Sequence, residues 1–203
     1  MQLADFIDEV GKDSPAPGGG SVAALAGALG AGLGSMVATL TPAKRGYEAT
    51  LEPLTARGEK LIDGLESLKK GIDLDTDAFN DVITAMRLPK KTAEDKTARA
   101  EAIQAGYKKA TLVPFNTAQT CVSILEELFE VAEIGNPNSA SDVGVGALMA
   151  YAGFEGAVLN VNINLPSIED EKFKNNIRKQ TNNLRKRATI AKDRVLEEIN
   201  KHI

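Results

Sequence analysis

The chain has 203 residues, 26% of them charged, with 24 lysines and arginines against 28 aspartates and glutamates, a net charge of −4 at pH 7 and an isoelectric point near 5.2. That acidic balance opposes nucleic-acid binding, which needs a basic excess, and one cysteine, Cys121, excludes an intramolecular disulfide framework and a cysteine zinc cluster. One domain spanning residues 1–203 is expected, because no Pro-, Gly- or Ser-rich stretch after residue 20 is long enough to be a linker.

Leu3, Phe6, Ile7 and Val10 fall at helical spacing and predict a short first helix over Leu3–Val10. Asp5, Asp8 and Glu9 are interspersed among them, unlike a signal peptide, so the cytoplasm is the expected location. The thirty residues Ser14–Ala43 then carry no formal charge. Pro15, Pro17 and the run Gly18-Gly19-Gly20 read as a loop, and Ser21 is placed to cap a helix running to about Thr41, before Pro42. Ala23, Gly27, Ala31, Ser35 and Thr39 recur every four residues along it, a ridge of small side chains that lets another helix come very close. Glycines inside a helix cost roughly 0.5–1 kcal/mol each relative to alanine, and close packing is the expected compensation. Composition and context disfavour two rival readings. For a membrane span the bulky apolar residues are few and aromatic anchors are missing from the flanks, and a dinucleotide loop requires a preceding strand where the chain shows a helix, which leaves anion or carbonyl binding by the loop amides open.

Tyr47–Leu68 predicts a third helix stopped at Gly71, and Ile72–Leu88 a further one ended by Pro89. In the latter, Asp73, Asp77 and Asn80 share a face. Two explanations stand for it: acidic residues favouring a helix N-terminus, or a carboxylate cluster with pKa values pushed apart for acid–base work. Thr92–Ile134 reads as one helix interrupted at Pro114, with Cys121 as small core filler. Gly135–Asp142 is a turn, with Gly135 as a helix C-cap and Ser139 or Ser141 as the next N-cap. Val143–Leu159 is again rich in glycine and alanine and is the natural packing partner of the first such helix. Asn160, Asn162 and Asn164 alternate with apolar residues, which suggests an extended segment with three amides on one side. Ser167–Ile203 predicts a long charged C-terminal helix that starts on a box of Ser167 and Asp170. The one histidine, His202, lies at its end, so if the chain is an enzyme its acids and bases must be carboxylates, lysines or water. The fold class is all-α: a helical bundle with two glycine/alanine-rich packed helices and a long C-terminal helix.

Four motifs in order carry a resemblance over essentially the whole chain. They are Pro15-Ala16-Pro17-Gly18-Gly19-Gly20-Ser21-Val22-Ala23-Ala24; Asp73-x-Asp75-x-x-Ala78-Phe79 followed by Leu88-Pro89-Lys90; Gly135-Asn136 with Ser141-Asp142; and Asn160-Val161-x-Ile163-Asn164. Together they resemble the cyclodeaminase/cyclohydrolase family, which includes the C-terminal domain of formimidoyltransferase-cyclodeaminase and free-standing methenyltetrahydrofolate cyclohydrolases. The resemblance implies a homodimer acting on a tetrahydrofolate derivative as substrate, without a metal. Formimidoyltetrahydrofolate cyclodeaminase, an activity of histidine catabolism, is the first expectation. Methenyltetrahydrofolate cyclohydrolase is the alternative, and a non-catalytic folate-binding dimer the further one. Both reactions pass through a tetrahedral carbon held by two folate nitrogens and need proton transfer. On this resemblance Asp142 with the Asp73/Asp77 pair are expected as the acid–base and electrostatic groups. Gly18, Gly19, Gly20, Ser21, Ser141, Asn160, Asn162 and Asn164 are expected to bind the pterin edge or the folate. Lys44, Arg45 and Lys90 are candidates for the acidic glutamate tail, with a solvated-face role the alternative for each.

Overall fold

The computed structural model describes residues 2–203, which form six α-helices and, among the described residues, no strand. They are α1 (Leu3–Val10), α2 (Gly19–Leu40), α3 (Leu51–Met86), α4 (Ala93–Ile134), α5 (Ala140–Asn164) and α6 (Glu171–Ile199). The all-α bundle with two packed glycine/alanine-rich helices and a long C-terminal helix is thus what forms.

Helices α2 to α5 make an up-down-up-down ring. Ser21 at the start of α2 meets Asp75 of α3, and Thr41 beyond its end meets Asn136 before α5. α5 runs back along α2, so that a Cβ built on Gly30 would lie 2.5 Å from the Gly146 carbonyl oxygen, and one on Gly153 2.7 Å from the Ala23 carbonyl oxygen. The two backbones touch at the ridge of small residues, and this contact offsets the helix-propensity cost of the glycines. Leu61, Leu68, Leu125, Leu128 and Phe154 fill the space inside the ring. α6 lies outside, against α4 and α5, fastened by Arg187 on Glu126 at 2.9 Å and Arg185 on Glu155 at 2.7 Å.

Cys121 is fully buried between Gly27 and Gly153. Burial pushes its thiol up to about 12, so it is core filler, as its apolar neighbours predict. α2 and the stretch 137–167 are long and apolar enough to cross a bilayer, but 56% and 50% of their most apolar windows are buried inside the bundle.

Several boundaries differ from those read in the sequence. α2 begins at Gly19, with Gly18 as N-cap, and Ser21 sits inside the first turn with its hydroxyl donating to the Ile72 carbonyl oxygen at 2.8 Å. Gly71 does not stop a helix: α3 runs through it, with Ala24 and Thr117 of neighbouring helices at ordinary packing distance. α4 keeps the extent read from the sequence, one helix over Ala93–Ile134 with Pro114 inside it. Residues 160–164 are the last turn of α5, and no extended segment forms. Ser139 occupies the α5 N-cap position without a side-chain cap bond, and a short turn at Pro137–Ser139 precedes it, capped by Asn136. α6 starts at Glu171, four residues later than expected, capped by Asp170, whose carboxylate accepts the Phe173 N–H at 3.0 Å. Ser167 belongs to the preceding turn.

Candidate active site

The start of α2 has free backbone N–H groups, as every helix does, and no side chain nearby in sequence to satisfy them. The partner comes from α3. Asp75 Oδ2 accepts the Ser21 N–H at 3.0 Å and lies 3.4 Å from the Ser21 hydroxyl. This fit depends on Gly20, where a Cβ would overlap the Asp75 carboxyl group. The glycine run therefore serves a close approach: it brings a helix N-terminus directly onto a half-buried carboxylate.

Asp75 borders a cavity of about 400 Å³ at this end of the bundle. Pro15, Ala16, Gly18 and Gly19 form its backbone wall, and the Ala16–Pro17 peptide is cis. Phe79, Val82, Ile83 and Met86 of α3 supply an apolar floor, and Tyr107 of α4 and Asn160, Ile163 and Asn164 of α5 complete the lining. Burial lifts the Asp75 carboxyl above its ordinary pKa of 3.8, and the Ser21 N–H with the hydroxyl beside it only partly opposes this. No lysine or arginine pairs with it among the described residues. The result is a carboxyl group that holds a proton at higher pH than an exposed aspartate and is fixed in place by neutral donors, which suits general acid–base work.

The asparagines divide the remaining tasks. Asn160 donates to the Gly156 carbonyl oxygen at 2.9 Å, leaving its amide oxygen for a ligand. Asn164 donates to the carbonyl oxygens of Ala110 at 2.8 Å and Asn160 at 3.0 Å, and so brackets the end of α5 to α4. Asn162 does not join them. Two residues along a helix turn the side chain by about 200°, so it is exposed on another face.

Of the residues singled out in the sequence, Gly18, Gly19, Asn160 and Asn164 line this cavity, and Gly20 and Ser21 are buried behind its wall against Asp75. Asp73 and Asp77 do not: they flank Asp75 by two residues on each side, are exposed, and line a neighbouring groove with Phe6, Pro17, Ile72 and Thr76. Ser141 and Asp142 lie in the first turn of α5, about 27 Å along that helix from Asn160 at 1.5 Å per residue. Asp142 and the Asp73/Asp77 pair therefore form no common centre within one chain. Lys44 and Arg45 follow the C-terminal end of α2, likewise at the far end of the bundle. Lys90 is four residues beyond Met86 and is the one of the three cations at the cavity's end. Local spacing in the sequence points to Asp73, Asp77 and Asn80 rather than to Asp75. Its deciding partner, Ser21, lies 54 residues away, although the motif that contains Asp75 was visible.

The fold is all-α, and the side chains of Asp75, Asn160 and Asn164 border a cavity floored by apolar residues. The chain belongs to the formiminotransferase-cyclodeaminase family, whose model matches residues 2–183. It is 38% identical over 200 residues to the methenyltetrahydrofolate cyclohydrolase of Methylorubrum extorquens, a match covering 97% of this chain and 95% of that protein. It is 40% identical over 200 residues to the formimidoyltransferase-cyclodeaminase of Sus scrofa, with 97% of this chain but 36% of that protein covered, so it spans about a third of the pig enzyme. The crystal structure of formiminotetrahydrofolate cyclodeaminase from Thermotoga maritima superposes with a TM-score of 0.89 at 29% identity, covering 99% of this chain and 96% of the other.

Proposed function

We propose that this protein is a cytoplasmic methenyltetrahydrofolate cyclohydrolase: water adds to the carbon bridging two folate nitrogens, and one carbon–nitrogen bond then breaks to leave a formyl group. The observation that carries the reading is the Asp75 carboxyl group, fixed by Ser21 at the cavity wall with its pKa raised by burial. As carboxylate it takes a proton from the attacking water, and as acid it returns one to the departing nitrogen. The raised pKa brings both forms closer to working pH. The amide oxygen of Asn160 accepts from the pterin's amide edge, the apolar floor of Phe79 and Met86 packs on its ring, and Lys90 meets the acidic tail. The substrate is a tetrahydrofolate derivative, and the scheme uses side chains of this chain alone.

Hydrolysis is preferred to cyclodeamination because the likeness to the Methylorubrum cyclohydrolase extends over nearly all of both proteins. Cyclodeamination, in which the same carboxyl group protonates departing ammonia, is the second reading, favoured by the likeness to the Thermotoga cyclodeaminase; it would place the protein in histidine catabolism. Absorbance at the methenyltetrahydrofolate band decides between them. The expected result is a fall with methenyltetrahydrofolate, faster than the spontaneous rate. A rise with formimidoyltetrahydrofolate would select the deaminase instead, and no change with either substrate would leave a folate-binding protein without turnover.

A further inference from the structure

The polar groups of the cavity divide into those already engaged within the chain and those left for a ligand. Asn164 commits its amide nitrogen to two backbone carbonyl oxygens, and Asn160 uses its own on Gly156. What these two side chains keep for a ligand is mostly oxygen, and Asp75 as carboxylate adds more. These groups suit the N–H groups of a ligand and do little for its oxygens.

Tyr107 has the opposite character. Its ring packs against two apolar clusters, the core inside the helical ring and a smaller one of Ala78, Val82 and Ala110 between α3 and α4. Both hold it at the cavity wall. The Tyr107 carbonyl oxygen accepts the Thr111 hydroxyl at 2.8 Å, but the phenol hydroxyl meets no acceptor among the described residues. Tyr151 is the contrast: it is also half-buried, and its hydroxyl has Glu155 and Thr189 each at 3.4 Å. A tyrosine in apolar surroundings ordinarily finds a partner for its hydroxyl. At Tyr107 the available partner is a ligand in the cavity.

The charge of the lining defines the kind of oxygen. Among the described residues no lysine, arginine or histidine lines the cavity, whereas Asp75 does. A carboxylate or phosphate there would be desolvated near a like charge with nothing to neutralise it. An uncharged carbonyl oxygen meets no such penalty and needs only a neutral donor.

We infer, on the reading of the cavity as the folate site, that the Tyr107 hydroxyl donates a hydrogen bond to an uncharged carbonyl oxygen of the bound folate and selects ligands that carry one. Two parts of the substrate present such an oxygen, the pterin ring and the benzoyl amide.

Tyr107→Phe keeps the ring and removes only the hydroxyl. That hydroxyl has no partner within the chain, so the urea midpoint of the variant is expected to equal or exceed that of the wild type. By calorimetry, the dissociation constant for tetrahydrofolate is expected to rise roughly three- to tenfold, the worth of one neutral hydrogen bond. Carbon NMR of the chain labelled at the phenol carbon of tyrosine locates the bond. The chain has three tyrosines, and the signal missing from the variant belongs to Tyr107. It is expected to move when tetrahydrofolate is added. Two fragments added separately at millimolar concentration then name the oxygen: p-aminobenzoylglutamate moves the signal if the benzoyl amide is the acceptor, and a tetrahydropterin without that arm moves it if the pterin is. An unchanged dissociation constant overturns the inference, as does a signal that no fragment or tetrahydrofolate moves. A lower urea midpoint in the variant also overturns it, by revealing a bond within the chain. None of these readings uses turnover. A moved signal and weakened binding in a chain that hydrolyses no methenyltetrahydrofolate sinks the cyclohydrolase reading alone, and turnover with an unmoved signal sinks the role of Tyr107 alone.

Discussion

Replacing Asp75 by asparagine is expected to lower turnover by roughly 10²–10⁴-fold, the range for losing a positioned proton-transfer group. The fold is expected to persist, because asparagine keeps an oxygen to accept the Ser21 N–H that Asp75 Oδ2 now holds at 3.0 Å. Stability supplies a second readout with a defined sign. Burial raises the folded-state pKa of Asp75 above its ordinary 3.8, so the folded chain binds the proton more tightly than the unfolded one. Stability from this group is therefore fully present below 3.8 and is lost as pH rises through the folded pKa. Above that window the wild type carries a half-buried charge that the asparagine variant lacks. At pH 7 the variant should melt no lower than the wild type while its activity is nearly gone. A variant that melts well below the wild type would make Asp75 a structural cap, and full activity in the variant would remove it from the mechanism.

Gly153→Ala is the second substitution of large effect, and it acts on the fold. A methyl group there would lie 2.7 Å from the Ala23 carbonyl oxygen, 2.8 Å from the Gly27 nitrogen and 3.1 Å from the Cys121 sulfur. The first two contacts are backbone and cannot rotate away, so α2 and α5 must separate and open the core on both sides. A loss of about 3 kcal/mol or more is expected, at the upper end of overpacking effects, read as a lower urea midpoint. Gly58→Ala is the control. It sits inside α3, where an added methyl would meet only the Ala38 Cβ at an ordinary 3.5 Å, so its higher helix propensity should stabilise by up to about 1 kcal/mol. Equal effects of the two substitutions would refute the close-packed ridge.

The pair α2 and α5 was legible in the sequence because a small residue every four positions has one physical use in a soluble helix, the close approach of a second helix. The C-terminal helix and the core role of Cys121 were legible for similar reasons of periodicity. Two signals misled. Gly71 reads locally as a stop, but it lies in the interior of α3 beside Ala24 and Thr117 of other helices, and tertiary packing carries the helix through it. Asn160, Asn162 and Asn164 alternate as a strand would, but at the end of a helix the same spacing puts Asn162 on a different face from the other two. The cavity was half legible. Gly18 to Ser21 and Asn160 were recognisable as a motif, while the choice of Asp75 over Asp73 and Asp77 depends on which face of α3 meets α2, and that is set by tertiary packing.

The ring of helices also has a kinetic consequence. Its neighbours α2–α3, α3–α4 and α4–α5 are joined in sequence and can pair by closing short connections. The pairing of α2 with α5 joins Gly19 to Asn160, a loop of roughly 140 residues and the largest closure entropy in the fold. Gly19 and Asn160 are also opposite walls of the cleft. On refolding, catalytic competence should thus return after the far-UV helical signal, since local helices precede ring closure; simultaneous recovery would show that the ring closes as one unit.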